Sequence, residues 1–134
     1  MARINSHVDH LTIISSDYEK ALVFYDAALS PLGIRRVMPK EDSCGFGIDR
    51  PFFWLGAPDE DHPATKNIHI ALAASSKEEV ENFHAAALKA GGTDHGAPGY
   101  RTRYHAGYYA AFVFDLDGNN IEVVYRDPSA SETP

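Results

Sequence analysis

Two histidines and one glutamate are placed so that they could share a metal ion. His10 begins a short apolar run at residues 10–14, His69 lies in a second such run, and Glu122 lies in a third. Two imidazoles and one carboxylate form a ligand set that divalent Fe, Mn, Ni, Co and Zn accept, with positions left for water or substrate oxygens. Such an ion polarises a carbonyl group and lowers the pKa of a bound water. Each residue alone is weak evidence, because an isolated strand histidine is more often a structural residue.

An internal repeat strengthens the metal hypothesis. At an offset of 59 residues, 8 of the 24 positions from 10 to 33 carry the same residue in the second half of the chain. Unrelated segments would match at about one or two positions, so a duplicated unit is indicated. The matching residues of the first copy are His10, Ser16, Glu19, Phe24, Ala27, Ala28, Leu29 and Gly33. A histidine that recurs at the same place in both copies favours metal binding.

Each copy has the pattern of one strand, one helix and three further strands. The first strand precedes a capping box, Ser16 with Glu19 or Ser75 with Glu78, and apolar residues at three-four spacing then predict a helix. Further strands are predicted at 34–38, 44–48 and 52–55, and then near 93, at 108–114 and at 120–125. We therefore predict an α+β fold of two tandem βαβββ modules, residues 7–56 and 67–126. Residues 57–66 form the linker, and residues 1–6 and 127–134 form frayed ends.

Strand alternation places the three candidate ligands on the sheet faces that the helices leave uncovered. Successive side chains of a strand point to opposite faces, and the helices must cover one of them. The pairs Leu11 and Ile13, Ile70 and Leu72, and Ile121 and Val123 are apolar and suit the helix-covered face. His10, His69 and Glu122 then face the other side, where Thr12, Ala71 and Ala73 are small. Small neighbours leave room for a cavity in front of the imidazoles.

A second group of candidates lies in the tyrosine-rich and arginine-rich stretch at residues 99–109. Tyr104, His105 and Tyr109 are candidate acid–base groups, and Arg101 or Arg103 could hold a carboxylate or phosphate through two hydrogen bonds. The alternative is an exposed hairpin with aromatic residues at its rim.

The last strand of the first module supplies candidate cavity walls. Phe52 and Trp54 are candidates for substrate contact, and packing in the core is the alternative.

The composition is that of one acidic globular domain. The chain has 134 residues, of which 44% are hydrophobic and 23% charged, and its formal net charge of −7 is opposite to that of a nucleic-acid-binding protein. No apolar run reaches the roughly 18 residues of a membrane helix, so we expect a cytoplasmic protein with neither a nucleic-acid nor a membrane partner. Cys44 is the only cysteine, which excludes an intrachain disulfide and a zinc site with several thiolates.

Several of these motifs together resemble the vicinal oxygen chelate superfamily, which includes glyoxalases, bleomycin-resistance proteins, fosfomycin-resistance enzymes and extradiol dioxygenases. The resemblance covers nearly the whole chain. It is carried by His10-Leu-Thr-Ile with Ser16-Asp17, by the Phe24-Tyr25 helix, by His69-Ile-Ala, and by residues 114–122, which are similar to the family segment F-x-D-P-D-G-x-x-I/L-E. Leu116 stands where that segment usually has proline.

The resemblance implies that the two modules form an incomplete barrel around a metal and substrate cavity, often completed by a homodimer. It implies a divalent metal held by His10, His69 and Glu122 and a small oxygen-chelating substrate. The strand at residues 52–55 offers no carboxylate where lactoylglutathione lyases commonly place a fourth ligand. We expect a metal-dependent, glyoxalase-like lyase or isomerase. The alternatives are an extradiol-type dioxygenase and a metal-free protein that sequesters an antibiotic or metabolite.

Overall fold

The element order follows the predicted repeat in residues 6–130, which the computed structural model describes. The first module comprises β1 (Leu11–Ile14), α1 (Tyr18–Leu29), β2 (Arg35–Pro39), β3 (Ser43–Gly47) and β4 (Pro51–Gly56). The second comprises β5 (His69–Ala73), α2 (Lys77–Lys89), β6 (Thr93–Tyr100), β7 (Tyr108–Phe114) and β8 (Asn120–Arg126). The predicted α+β fold with two βαβββ modules is therefore confirmed. Of the predicted frayed ends, residues 1–5 and 131–134 lie outside the described residues.

Each module forms one four-stranded mixed sheet. The strand order is β1-β4-β3-β2 in the first sheet and β5-β8-β7-β6 in the second, so the second module repeats the topology of the first. The first and last strands of each module are parallel, and the other neighbours are antiparallel. The two sheets do not pair with each other in residues 6–130, so the described chain contains no closed barrel.

Both helices and one face of each sheet share a single apolar core. Ile13 of β1, Leu72 of β5, and Ile121 and Val123 of β8 are buried in it, as strand alternation predicts. The helices α1 and α2 contact each other within the same core. Because the helices cover the inner faces, His69 and Glu122 lie on the outer face of the second sheet, whereas His10 directly precedes β1 of the first.

The N-cap of each helix lies one residue after the serine that the capping box predicted. The carboxylate of Asp17 caps α1 by accepting a hydrogen bond from the amide of Lys20, and the hydroxyl of Ser76 caps α2 by accepting one from the amide of Glu79. The sequence offers two adjacent residues that are equally good N-caps at each helix start. The predicted caps, Ser16 and Ser75, were therefore each wrong by one position.

The turn at residues 115–119, between β7 and β8, joins the second module to the first; we call it the intermodule turn. Its Asp117 accepts hydrogen bonds from the Ser15 hydroxyl at 3.0 Å and from the Ser16 amide at 3.1 Å, and the Ser16 hydroxyl also donates to it. The hydroxyl of Tyr25 on α1 donates to Asp115 at 2.6 Å. These bonds hold the start of β8 against the beginning of α1.

Neither α1 nor α2 is long and apolar enough to cross a bilayer, and the same holds for every helix in residues 6–130.

Candidate functional site

His69 and Glu122 meet on one face of the second sheet, on the neighbouring strands β5 and β8. The imidazole of His69 donates through Nε2 to Oε1 of Glu122 at 2.8 Å. The Glu122 side chain is only 3% exposed, whereas that of His69 is 52% exposed. Glu122 lies between Ala71 of β5 and Phe112 of β7 in the sheet register, so the sheet itself covers its stem. The carboxylate is therefore buried and hydrogen-bonded, and the half-exposed imidazole lies between it and solvent.

Tyr108 holds the second oxygen of the same carboxylate. Its hydroxyl donates to Oε2 of Glu122 at 2.5 Å. Burial, together with this bond to a carboxylate, raises the pKa of Tyr108 to about 12, so the phenol keeps its proton at neutral pH. We call His69, Tyr108 and Glu122 the second-module half-site.

His10 lies in the other module, beside a separate cavity. Its Nδ1 donates to a carboxylate oxygen of Asp9 at 2.7 Å, and Arg50 donates to the other oxygen at 3.0 Å. The bonds to His10 and Arg50 lower the pKa of Asp9. A cavity of about 440 Å³ opens beside these residues and is also lined by Thr12 and Trp54. We call Asp9, His10 and Trp54 the first-module half-site.

Gly45 gives the Trp54 indole its place in this half-site. The two residues are direct neighbours in the β3–β4 register. A Cβ atom on Gly45 would lie 3.0 Å from the indole ring and 2.6 Å from the Cβ of Pro51. Only glycine therefore lets the ring lie over β3. The ammonium of Lys40 lies 5.4 Å from the centre of the same ring.

The structure does not bring the three predicted metal ligands together within one chain. In residues 6–130, no three side chains of His, Cys, Asp or Glu are grouped as a metal ion requires. His69 and Glu122 are in contact, but His10 directly precedes β1 of the other sheet and contacts Asp9 instead. The physical reason is the shared core, because packing both helices between the sheets turns the two ligand-bearing faces away from that core.

The pair His69–Glu122 has the spacing of two neighbouring ligands of one ion. Metal–nitrogen and metal–oxygen bonds are about 2.1 Å long, so two ligands at a right angle are about 3.0 Å apart. The observed separation of Nε2 and Oε1 is 2.8 Å. His10 also fits a ligand role, because a carboxylate on Nδ1 fixes the tautomer that leaves Nε2 for a metal. The residues therefore fit two parts of a metal site that are separated within the chain.

The predicted hairpin residues lie at different places around the second half-site. The ring of Tyr104 packs against that of Tyr108 with 4.9 Å between centroids. The Nε2 atom of His105 accepts a hydrogen bond from Arg126, and its Nδ1 donates to the carbonyl of Ala106 at 2.6 Å. Both nitrogens of His105 are thus engaged, so the imidazole is built into the hairpin.

Tyr109 lies on the opposite face of β7. Its hydroxyl donates to Glu81 of α2 at 2.6 Å, and its ring is buried in the helix-covered core. The bond to Glu81 and burial raise the pKa of Tyr109 to about 12. Its position separates it from Glu122.

The predicted substrate-binding residues are likewise divided. Arg101 lies over the ring of Phe112, next to the second-module half-site. Arg103 lies over Tyr104 at the exposed end of the hairpin. Trp54 lines the His10 cavity. Phe52 packs against the core and borders a cleft of about 360 Å³ between the modules, which β5 also lines.

Sequence reasoning missed Tyr108 and Arg126. Both lie on the same face as Glu122, and they are direct partners in the β7–β8 register. Strand alternation counted back from Glu122 across that register would have selected Tyr108 rather than Tyr109. This selection needs the residue-by-residue pairing of β7 with β8, which cannot be read from the sequence alone.

The comparisons with known proteins agree with this architecture. The family model described as the Glyoxalase/Bleomycin resistance protein/Dioxygenase superfamily matches residues 7–123. The chain belongs to this superfamily. No curated protein matches the chain.

Solved structures of superfamily members share the fold. A glyoxalase/bleomycin resistance protein from Albidiferax ferrireducens T118 is 32% identical with a TM-score of 0.79, over 90% of this chain and 99% of that chain. A lactoylglutathione lyase from Agrobacterium tumefaciens is 19% identical with a TM-score of 0.64, over 92% and 96% of the two chains. A mutant of the fosfomycin resistance protein FosX from Listeria monocytogenes, complexed with Mn(II) and 1S,2S-dihydroxypropylphosphonic acid, is 19% identical with a TM-score of 0.62, over 90% of both chains.

Proposed function

We propose that this superfamily member is a divalent-metal-dependent enzyme that acts on a small, oxygen-chelating substrate. The observation that carries the proposal is the His69–Glu122 pair, in which an almost fully buried carboxylate lies 2.8 Å from a half-exposed imidazole. A carboxylate is costly to bury unless it has partners of opposite charge or hydrogen-bond donors. A metal ion at this pair would add the compensating positive charge. The FosX structure, which contains Mn(II), supports this chemistry by analogy.

The third ligand in this proposal is His10 of the partner subunit in a homodimer. Within one chain His10 lies in the other module, directly before β1, so a site of two imidazoles and one carboxylate is incomplete without a second copy. In a dimer with a two-fold axis, each chain contributes its first-module half-site to one metal site and its second-module half-site to the other. One dimer then holds two equivalent sites, each with His10 from one chain and His69 and Glu122 from the other.

The remaining residues of the half-sites orient these ligands. Asp9 fixes the tautomer of His10 through Nδ1, and Tyr108 fixes one oxygen of Glu122 while keeping its own proton. A divalent ion bound there would act as a Lewis acid on the substrate oxygens. Tyr104 lies at the edge of the half-site, while Tyr109 has no role in the proposal because it faces the core.

The test is complementation between two inactive variants. His10→Ala and His69→Ala chains each lack one ligand, and either homodimer is expected to lose high-affinity binding of Mn²⁺, Ni²⁺ or Zn²⁺. In a mixed dimer, the intact His10 of one chain meets the intact His69 and Glu122 of the other. Random mixing should restore about one quarter of the wild-type sites, because about half of the dimers are mixed and each has one intact site.

The same experiment separates the possible assemblies. If each site formed within one chain, every chain in the mixture would lack a ligand and no binding would return. A mixture of His10→Ala with His62→Ala serves as the control, because His62 is exposed in the linker and bonds to Asp59. A His10→Ala homodimer that binds metal as tightly as the wild type would reject the proposed ligand set.

The reaction in this proposal is a lyase or isomerase reaction, with an extradiol-type dioxygenase as the nearest alternative. A dioxygenase would require Fe²⁺ and would consume oxygen with the substrate. Oxygen uptake measured with Fe²⁺-loaded and Ni²⁺-loaded protein distinguishes the two reactions.

A metal-free sequestering protein is the second candidate function. The observation that favours it is that both Glu122 oxygens already have hydrogen-bond donors, His69 and Tyr108. The partly buried Trp54 beside the His10 cavity could then pack against an aromatic ligand. Less than about a tenth of an equivalent of metal, in protein purified without a nickel column, with no gain on adding Mn²⁺, Ni²⁺ or Zn²⁺, would favour sequestration.

A further inference from the structure

Within residues 6–130, three arginines around the second-module half-site form no ion pair with a carboxylate. Arg101, Arg103 and Arg126 form no ion pair with a carboxylate in the described part of the chain, whereas Arg36 is paired with Asp26 at 2.6 Å. The chain has 19 acidic and 12 basic residues, so acidic side chains are abundant. A guanidinium left unpaired in an acidic protein is available to an anion from outside.

Arg101 is held in place by its surroundings. One of its NH2 groups donates to the carbonyl of Ala97 at 2.7 Å, and its guanidinium carbon lies 5.4 Å from the centre of the Phe112 ring. Glycines flank it on β6, since a Cβ on Gly96 would lie 3.2 Å from one terminal nitrogen and a Cβ on Gly99 would lie 3.1 Å from the other. The strand thus leaves room for the side chain to lie across it.

The position of Arg101 relates it directly to the proposed metal ligands. Phe112 is the register partner of Glu122, and its ring centre is 6.2 Å from that of His69. Arg101 and His69 therefore both border the Phe112 ring. Within residues 6–130 the guanidinium makes only the hydrogen bond to Ala97, so most of its five N–H groups are free for a ligand.

A second cation lies across the half-site from Arg101. The guanidinium carbon of Arg126 is 5.3 Å from the ring centre of Tyr108, whose hydroxyl binds Glu122, and His105 accepts a hydrogen bond from it. Positive side chains thus lie near both ends of the Tyr108–Phe112 face of β7. An anion on this face would therefore find a guanidinium group near either end of it.

We propose that Arg101 binds an anionic group of the substrate, while the chelating oxygens of the same molecule lie at the metal held by His69 and Glu122. The substrate class is a small oxygen-chelating acid whose carboxylate, phosphonate or phosphate lies several bonds from the chelating oxygens, across the Phe112 ring. This inference rests on the proposed function for the position of those oxygens. Arg103 is not part of the subsite, because it lies over Tyr104 at the exposed end of the hairpin.

The test uses hydroxamates, which chelate metal through two oxygens. Alkyl hydroxamates of increasing length are compared with hydroxamates of equal length that end in a carboxylate or in a phosphonate. Calorimetry measures their affinity for protein loaded with whichever of Mn²⁺, Ni²⁺ and Zn²⁺ binds most tightly. At the length that spans Phe112, the charged end should tighten binding about 10- to 100-fold. The two series distinguish a carboxylate from a phosphonate as the preferred group.

Variants assign this gain to Arg101. Arg101→Met should remove the gain and leave the affinity for alkyl hydroxamates unchanged, while Arg103→Met, the matched control, should keep the gain. Gly99→Ala should reduce the gain with the arginine still present, because its Cβ would displace the guanidinium while touching little else. Circular dichroism verifies that each variant is folded. A gain that persists in Arg101→Met would overturn the proposal.

A second measurement separates failure of the subsite from failure of the metal site. If none of the three ions binds, the proposed function fails. The anion subsite is then tested alone, by titrating inorganic phosphate into the metal-free protein and following the arginine Nε–H signals by NMR. A saturable shift of the Arg101 signal, with loss of phosphate binding in Arg101→Met, supports the anion subsite by itself. Equal phosphate binding in wild type and Arg101→Met rejects it.

Discussion

The hydroxyl of Tyr25 on α1 donates a 2.6 Å hydrogen bond to Asp115 of the intermodule turn. Tyr25 is 1% exposed and Asp115 is 7% exposed, so the bond is formed inside the protein. Burial and the neighbouring carboxylate raise the pKa of Tyr25 well above its usual value. The phenol therefore remains a donor at neutral pH and joins the first module to the start of β8.

Replacing Tyr25 with phenylalanine should destabilise the fold. The substitution removes the hydroxyl and leaves a buried carboxylate with one donor fewer, so we expect a loss of about 1.5–3 kcal/mol in the free energy of unfolding. Urea denaturation monitored by circular dichroism measures it. Tyr18→Phe is the matched control, because the buried Tyr18 hydroxyl has no hydrogen-bond partner within the described chain. A loss in Tyr18→Phe equal to that in Tyr25→Phe would contradict this account.

Tyr108→Phe should weaken metal binding without removing a ligand. The Tyr108 hydroxyl orients Glu122 through Oε2, and loss of such outer contacts lowers metal affinity about 10- to 100-fold. Competition with a coloured chelator measures the affinity for Ni²⁺ or Zn²⁺. Tyr104→Phe, on the same hairpin, should leave it unchanged, because that hydroxyl contacts Arg103 and not the carboxylate. Unaltered affinity in Tyr108→Phe would remove Tyr108 from the site.

Gly45→Ala should disturb the first-module half-site. The new Cβ would lie 2.6 Å from the Cβ of Pro51 and 3.0 Å from the Trp54 ring. We expect a loss of about 1–3 kcal/mol of stability from overpacking. Trp54 is the only tryptophan, so a change in its fluorescence emission reports movement of the ring directly. Ser43→Ala on the same strand should change neither quantity, and an unshifted emission in Gly45→Ala would count against this geometry.

Tyr109 should make stability depend on pH in the alkaline range. The bond to Glu81 raises its pKa to about 12 in the folded protein, above the value of about 10 in an unfolded chain. The protonated phenol therefore stabilises the fold fully below pH 10, and this contribution disappears as the pH rises towards 12. The difference in unfolding free energy between wild type and Tyr109→Phe should shrink over that interval.

The comparison with Tyr109→Phe isolates one group from other alkaline effects. Tyr108, whose pKa is also raised to about 12, is present in both proteins and cancels in the difference. A difference that stays constant between pH 10 and pH 12 would show that the Tyr109–Glu81 bond does not govern this dependence.

The element pattern could be predicted because local signals and the repeat agree. The strand predicted at 108–114 is β7, and the first helix ends at Leu29 as predicted. The cap of α1 was displaced because Ser16 and Asp17 compete for one role, and a distant residue decides between them. Asp117 binds Ser16, which leaves Asp17 to cap α1.

The site could be predicted only in part, because its residues depend on how sheets and chains are arranged. Strand alternation assigned Glu122 to the face of β8 opposite Ile121 and Val123, which lie in the apolar core, and the structure places Glu122 beside His69. The position of His10 relative to that pair depends on the packing of one module against the other. No local pattern encodes that packing.

The tyrosine assignments show a similar dependence on pairing. Tyr108 and Tyr109 are adjacent, equally aromatic and equally able to donate a proton. Only the register of β7 against β8 determines that Tyr108 shares a face with Glu122 while Tyr109 faces Glu81 of α2. A shift of one residue in that register would exchange their roles.

The intermodule turn connects the two metal centres of the proposed dimer within each chain. Ser15 follows His10 by five residues, and Glu122 follows Asp117 by five residues. The hydrogen bond between Ser15 and Asp117 therefore links, through two short stretches of backbone, ligands that would serve different ions. Breaking that bond would free the two ligand-bearing strands from each other within one chain.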